Sequence, residues 1–144
     1  MSPLRWRPAR SPARTAIRGR WSRLEPVQPR HHAAALYAAT HGPGHDPRLW
    51  DFMFVGPFAG QADFASWLAA CKQSDDPLFF AIVDRHGSAQ GLASFTRINP
   101  GHGVIEIGNI FFAAPLQQTR AATEAIFLLL RQAFDRLGYR RVEW

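Results

Sequence analysis

A single cysteine, Cys71, stands in the 144 residues. No intramolecular disulfide can form, which excludes a disulfide-stapled secreted scaffold and makes a reducing cytoplasm the expected location. No apolar run approaches the roughly 20 residues a membrane helix needs, and Arg5, Arg7, Arg10 and Arg14 interrupt any apolar region of a signal peptide. Acid is missing from the first 24 residues, which hold seven arginines, while the remainder carries ten bases against eleven acids. The net charge of +6 therefore belongs to the amino-terminal segment, and the folded part is not a basic domain. A metal-ligand set is also missing. His41 and His45 have helical i, i+4 spacing, but Gly42, Pro43 and Gly44 between them forbid a regular helix, and no Cys or carboxylate partners accompany them. No metal is expected, and His31, His32, His86 and His102 read as exposed. Nor does a Ser or Cys sit in a strand-to-helix elbow, so covalent catalysis is not expected.

What is present suits one domain. With 47% apolar residues a chain of this length buries a single core. Residues 1–17 mix Pro3, Pro8 and Pro12 with Arg and Ser and carry too little apolar surface to offset the entropy of ordering. They read as a basic disordered arm, either a solvated tail or a polybasic contact for RNA or ribosome. Residues 18–144 form the domain. Trp21, Leu24 and Val27 suit a first strand within 19–27. Pro29 precedes a short helix over HHAAALYAAT, and HGPGHDPRL, residues 41–49, is a loop. Phe64, Trp67, Leu68 and Cys71 recur at helical spacing over 61–72, which makes Cys71 a core residue. Then LFFAIVD, GLASFTRI and VIEIGNIFF follow one another across short Gly-bearing loops as an antiparallel meander. The next helix presents Ala122, Ile126, Leu129, Leu130, Ala133, Phe134 and Leu137 on one face, and Gly138 stands where a left-handed cap is wanted. Residues 139–144 start another strand, parallel to its predecessor because a strand–helix–strand crossover is right-handed. The expected fold is α/β with a mixed sheet, a meander followed by that crossover.

The most informative stretch is the strand from Gly103 to Phe112 and the helix after it. A helix opening beside a strand end presents unpaired N–H groups and a positive dipole end, where phosphates bind. A pyrophosphate there needs free N–H groups from about Gln118 to Ala122, small residues and a nearby cation; Ala121, Ala122 and Arg120 supply these. An ordinary amphipathic helix with a polar first turn reads the same way. The segments GRWSRLEPV, GPF with FASWL downstream, LFFAIVD, GLASFTRINPGHGVIEIGNIFF and LQQTRAATEA together resemble the GNAT acyl-CoA N-acetyltransferases, more narrowly the branch related to the RimJ/RimL ribosomal-protein acetyltransferases. The likeness spans 18–144.

The resemblance implies the GNAT fold, acetyl-CoA as cosubstrate and direct transfer of its acetyl group to a primary amine on a peptide N-terminus or a small molecule. The family's turn reads Arg or Gln, two residues, Gly, one residue, then Gly or Ala. Gln117 and Ala122 match, and Arg120 replaces the first Gly, where a cation could meet a phosphate oxygen. The implied cofactor-binding residues are Asn109, Ile110, Phe111 and Phe112, whose main chain would pair with the pantetheine arm, and Gln117, Gln118, Thr119, Arg120, Ala121, Ala122 and Thr123, which would hold the pyrophosphate. Gly108 would permit a bulge. Glu106, the one carboxylate of that strand, is the candidate general base; a pairing with an arginine such as Arg97 reads it as structural. Trp50, Phe52, Phe54 and Phe58 are read as lining the acceptor pocket or as core. Family members continue beyond this last strand with a helix and two strands that often carry a tyrosine acid, so the resemblance implies a domain truncated at its C-terminus, without an identifiable general acid. The rival readings are a non-catalytic RNA- or ribosome-binding module and an inactive fragment. The expected partners are thus an amine acceptor, no membrane, nucleic acid only through the arginine arm, and a second copy of the chain in a homodimer.

Overall fold

The computed structural model describes residues 5–144; the first four positions of the expected arm lie outside the described residues. Its elements run β1 (Ile17–Arg18), β2 (Ser22–Pro26), α1 (Pro29–His41), a 3₁₀ turn (Pro47–Trp50), α2 (Gln61–Gln73), β3 (Leu78–Asp84), β4 (Ala89–Asn99), β5 (Val104–Phe112), α3 (Arg120–Arg131) continued by a π-helical turn over Gln132–Leu137, and β6 (Arg141–Glu143). One sheet holds all six strands in chain order. Its pairs are antiparallel except β5 with β6, which run parallel with Val104 opposite Arg141 and Glu106 opposite Glu143. The helix α3 between them carries the chain back along the sheet so that β6 starts at the same end as β5.

The apolar run of β3 is buried on both faces because helices cover both. Phe80 and Ile82 join Leu24, Phe95, Ile105, Ile107, Leu128 and Leu129 on the side of α3. Phe79, Ala81 and Val83 join Leu36, Trp50, Phe64, Leu68 and Cys71 on the side of α1 and α2. α1 starts at Pro29 itself, which occupies the first turn where its missing N–H costs nothing, and its last residue is His41, expected in the loop. Thr40 and Leu36 are buried along this helix, and so is His32, which was expected to be exposed. Both of its ring nitrogens are used: Nε2 lies 2.7 Å from Glu25 Oε2, and Nδ1 accepts the Gln28 N–H at 3.0 Å.

The inward face of α3 differs from the expected stripe. Ala122, Ala125, Leu128 and Leu129 are buried, then Ala133 and Leu137, while Ile126 and Leu130 are half-buried and Phe134 is 43% exposed. Ile126 and Leu130 flank the face that Ala125, Leu128 and Leu129 centre, and Phe134 is turned outward by the π-helical turn over Gln132–Leu137, whose extra residue per turn rotates the side chains after Arg131 relative to a continuous α-helix. Gly138 ends the helix at φ 84°, ψ 23°, the left-handed cap that a side chain would resist.

Residues 5–16 also depart from the expected free arm. Ala9 is buried and its N–H donates to Pro100 O at 3.0 Å; the Arg10 N–H donates to Leu137 O at 2.9 Å, and its guanidinium also reaches Arg136 O. Arg14 donates to Lys72 O at 2.8 Å and Ser74 O at 2.6 Å and pairs with Asp75 at 2.6 Å. The arginines thus cover the carbonyl ends of α3 and α2, where orphan acceptors and the negative dipole end attract cations. Among the described residues no helix is long and apolar enough to cross a membrane.

Candidate active site

β5 carries an irregularity at its centre. Ser94 lies opposite Gly108 and Leu92 opposite Phe111, so Ala93 faces two residues, Asn109 and Ile110. This is a β-bulge with one extra residue on β5. The left-handed conformation falls on Asn109, at φ 51°, and not on Gly108, where the bulge was expected; asparagine tolerates that region better than most residues. Ser94, fully buried, locks the bulge: its Oγ donates to Gly108 O at 3.0 Å and accepts from Asn109 Nδ2 at 2.9 Å. Gly108 instead spares space, because a Cβ there would meet Thr96 Cγ2 at 3.2 Å and lie 3.6 Å from Glu106 Oε1. The bulge also exchanges the faces of the strand. Ile105 and Ile107 lie towards α3 and Phe111 lies towards α1 and α2.

Beyond Phe112 the chain turns into α3. The Ala113 N–H donates to Gln90 O at 2.8 Å, and the Leu116 and Gln117 N–H groups fold back on Ala113 O at 2.8 and 3.2 Å. Gln117 Nε2 braces the strand end through Phe112 O at 2.9 Å. Gln118 then takes φ 57°, which aims the following amides outward. Thr119 is the N-cap: its hydroxyl donates to Leu116 O at 2.6 Å and accepts the Ala122 N–H at 3.2 Å, and the Thr123 N–H returns to Thr119 O at 3.2 Å. The N–H groups of Gln118, Thr119, Arg120 and Ala121 have no acceptor among the described residues. Four successive free donors at the positive end of a helix form an anion cradle. The expectation of free amides reached to Ala122, and the structure stops it one residue short, because the threonine cap takes that donor.

Glu106 is half-buried on β5, next to Gly108 on one face, and Arg97 Nε lies 3.4 Å from Oε2. That guanidinium is largely solvent-exposed, so the pair is loose. Glu106 therefore sits before the bulge, and the anion cradle sits after it. A cleft of about 610 Å³ opens beside the strand end, lined by Leu49, Phe52, Met53, Ile110, Phe112 and Gln117 among others. Of the four aromatic residues expected on an acceptor pocket, only Phe52 lines this cleft. Trp50 is buried and Phe58 half-buried in the core behind it, and Phe54 is 98% exposed. Core packing takes Trp50 because its ring meets Phe58 at 5.6 Å and Phe111 at 5.4 Å between centroids.

Residues 22–144 match the family model for the acetyltransferase (GNAT) domain. The chain belongs to the GNAT family. A GCN5-related N-acetyltransferase from Brucella melitensis is 41% identical over 97% of this chain and 63% of its own, with a TM-score of 0.92. A protein described as a probable GNAT-family acetyltransferase from Chromobacterium violaceum ATCC 12472 is 37% identical over 98% of this chain and 70% of its own, with a TM-score of 0.86. The chain therefore spans less than two thirds of the length of the Brucella protein. The ribosomal L7/L12 alpha-N-protein acetyltransferase RimL shares the fold at 16% identity over 85% of this chain and 66% of its own, with a TM-score of 0.67. No protein of curated function matches the sequence.

In this GNAT domain burial pushes the Cys71 thiol up to about 12, which denies it the thiolate a nucleophile needs. Two contributors were missed in the sequence. Ser94 shows only as a small polar residue inside an apolar strand, and Glu124 as an acid one turn into α3. Glu124 turns back to the β1–β2 turn, where its carboxylate accepts the N–H groups of Arg20 at 2.8 Å, Trp21 at 2.6 Å and Ser22 at 2.7 Å. Burial raises its pKa, but these bonds outweigh that and hold it below the usual carboxylate value. The helix carrying the cradle is thereby tied to the first hairpin.

Proposed function

We propose that the chain is an N-acetyltransferase that takes its acetyl group from acetyl-CoA and passes it to a primary amine. The observation that carries this reading is the run of four acceptor-free amides, Gln118 to Ala121, in a chain of the GNAT family. They supply what a pyrophosphate needs, with Gln117 and Thr119 shaping the turn and Arg120, Ala122 and Thr123 completing its first helical turn. The backbone from Asn109 to Phe112 would lie along the pantetheine arm; the bulge at Asn109 and Ile110 and the end of β6 pairing at Glu106, which leaves this part of β5 without a strand on that side, support this.

In the reaction the lone pair of a neutral amine attacks the thioester carbon, the C–N bond forms as the C–S bond breaks, the nitrogen loses a proton and the departing sulfur gains one. Glu106 would receive the amine proton, directly or through a water. Its half-exposed position beside the side-chain-free Gly108 favours this role. The acceptor is an amine of a peptide N-terminus or a small molecule. An RNA-binding reading has less support, since Arg10 and Arg14 are occupied at helix ends.

The decisive measurement is thermal unfolding in excess acetyl-CoA, where a ligand at 100 times its dissociation constant adds about 2.7 kcal/mol. A flat titration sinks the reading. With binding in hand, Glu106→Gln is expected to slow the amine-dependent rate by about 10²-fold or more without changing the affinity for CoA; an unchanged rate removes Glu106 from the reaction.

A further inference from the structure

The run Arg20-Trp21 leads to a feature that the turn alone does not explain. Three guanidinium groups gather on the indole of Trp21, with their central carbons 5.0 Å (Arg20), 5.5 Å (Arg85) and 5.4 Å (Arg120) from the ring centroid. They come from three separate places: the β1–β2 turn, the β3–β4 turn and the first residue of α3. Each contact is favourable by itself, but three like charges around one ring repel one another. None of the three has a carboxylate within ion-pair distance among the described residues. The nearby acids are engaged elsewhere. Asp84 accepts from the His86 and Ser88 N–H groups and from Gln90 Nε2 at 2.8, 3.0 and 2.9 Å, and Glu124 is taken by the backbone of residues 20–22. Asp84 and Glu124 keep their negative charge but pair with none of the three guanidinium groups, so the locus holds three cations against two acids and stays net positive.

A cleft of about 450 Å³ opens against it, lined by Trp21, Arg85, His86, Leu116, Thr119 and Arg120 among others. Its wall is apolar at Trp21 and Leu116, cationic at Arg85 and Arg120, and acidic at Asp84, whose carboxylate is turned to the β3–β4 turn amides and Gln90, and its volume suits a purine with its sugar. Thr119, Arg120 and Ala121 border both this cleft and the row of free amides, so a ligand whose pyrophosphate occupies the amides continues into the cleft. The amides account for the pyrophosphate. They leave nothing for a further phosphate on the ribose, which carries up to two more charges, and the three arginines supply that need in the form that best matches phosphate oxygens.

We infer that Arg20, Trp21, Arg85 and Arg120 form the subsite for the 3′-phosphorylated adenosine end of coenzyme A, and that this phosphate makes the chain discriminate coenzyme A from its 3′-dephospho form. The inference rests on the acetyl-CoA reading above. Its test is a calorimetric titration of the full chain with CoA and with 3′-dephospho-CoA, repeated on the Arg20→Ala/Arg85→Ala variant. Both arginines are exposed, and their melting temperature checks that the variant folds. CoA is expected to bind about tenfold more tightly than 3′-dephospho-CoA, a difference of one charge-assisted contact or more. In the variant the ratio falls towards one through weaker CoA binding, and Arg85→Lys keeps part of it. Equal affinity of the wild-type chain for the two nucleotides overturns the subsite while leaving the acetyl-CoA reading intact, and this comparison needs no variant. A ratio that survives the double substitution overturns it as well. Binding of neither nucleotide overturns the acetyl-CoA reading and the subsite with it.

Discussion

The two faces of the sheet are built from different material. Towards α3 the core is mainly aliphatic, with Phe80 and Phe95 as one aromatic pair at 6.0 Å: Leu24, Ile82, Ile105, Ile107, Leu128 and Leu129 close around Ala122, Ala125 and Ala133, whose small side chains let the helix backbone approach the strands. Towards α1 and α2 it is aromatic. His41 stacks on Tyr37 at 4.4 Å, and Phe58 meets Phe64 at 5.3 Å and Trp67 at 5.2 Å. The first face holds a backbone device in place, the start of α3 with its free amides. The second holds a loop, residues 42–60, through side chains. Each face has a polar anchor that fixes its device. Glu124 ties α3 to the first hairpin as an ionised acceptor, while His41 ties the loop to α1 as a neutral one, taking the Phe58 N–H on Nε2 at 2.9 Å with Nδ1 2.9 Å from Thr40 Oγ1. The contrast is between packing that places main chain and packing that places a side-chain wall.

The largest effect is expected from truncating the aromatic face. Phe64→Ala should cost about 4 kcal/mol and Leu128→Ala, on the aliphatic face, about 3 kcal/mol, both read by urea unfolding. A larger loss at Leu128 would break the contrast in sensitivity. Next comes Glu124→Ala, which leaves three amides without their acceptor and should cost about 2 kcal/mol. It should also weaken CoA binding, which Phe64→Ala should leave unchanged in the folded fraction; equal effects on affinity would show that the faces do not divide the work as described. The smallest effect is the pH dependence of His41. Burial holds its pKa below the ordinary 6.5, so the unfolded chain binds the proton first. Stability is then fully present above 6.5, falls as pH drops through 6.5 towards the folded value, and levels off below it. A protonated Nε2 cannot accept the Phe58 N–H. His41→Phe should flatten this part of the stability–pH profile, and an unaltered slope would mean that the loop does not depend on the neutral imidazole.

Much of this architecture was legible in the sequence, and what was not has a common physical reason. LFFAIVD, VIEIGNIFF and the Gly138 cap are local statements: a strand or a helix end is written in the spacing and chemistry of adjacent residues. The candidate cradle was legible for the same reason, since free donors at a helix start follow from where the helix starts. Phe134 was misplaced because a π-helical turn leaves no mark in apolar spacing. Residues 5–16 were read as an arm because their composition lacks apolar surface, whereas the acceptors that Arg10 and Arg14 find belong to helices 58 or more residues away.

By itself, then, the sequence determined the main helices, the three-stranded meander, the parallel last strand and where the last long helix starts, all of which depend on short-range pattern and on the handedness of crossovers, while the short strand Ile17–Arg18, the 3₁₀ turn and the π-helical turn were not written in it. Only the tertiary structure decided that Asn109 and not Gly108 bends the strand, that Glu124 serves the hairpin, and that Arg20, Arg85 and Arg120 meet on one indole. Those outcomes depend on which distant backbone groups and charges the packed sheet brings within a few ångströms, and no spacing along the chain encodes that distance.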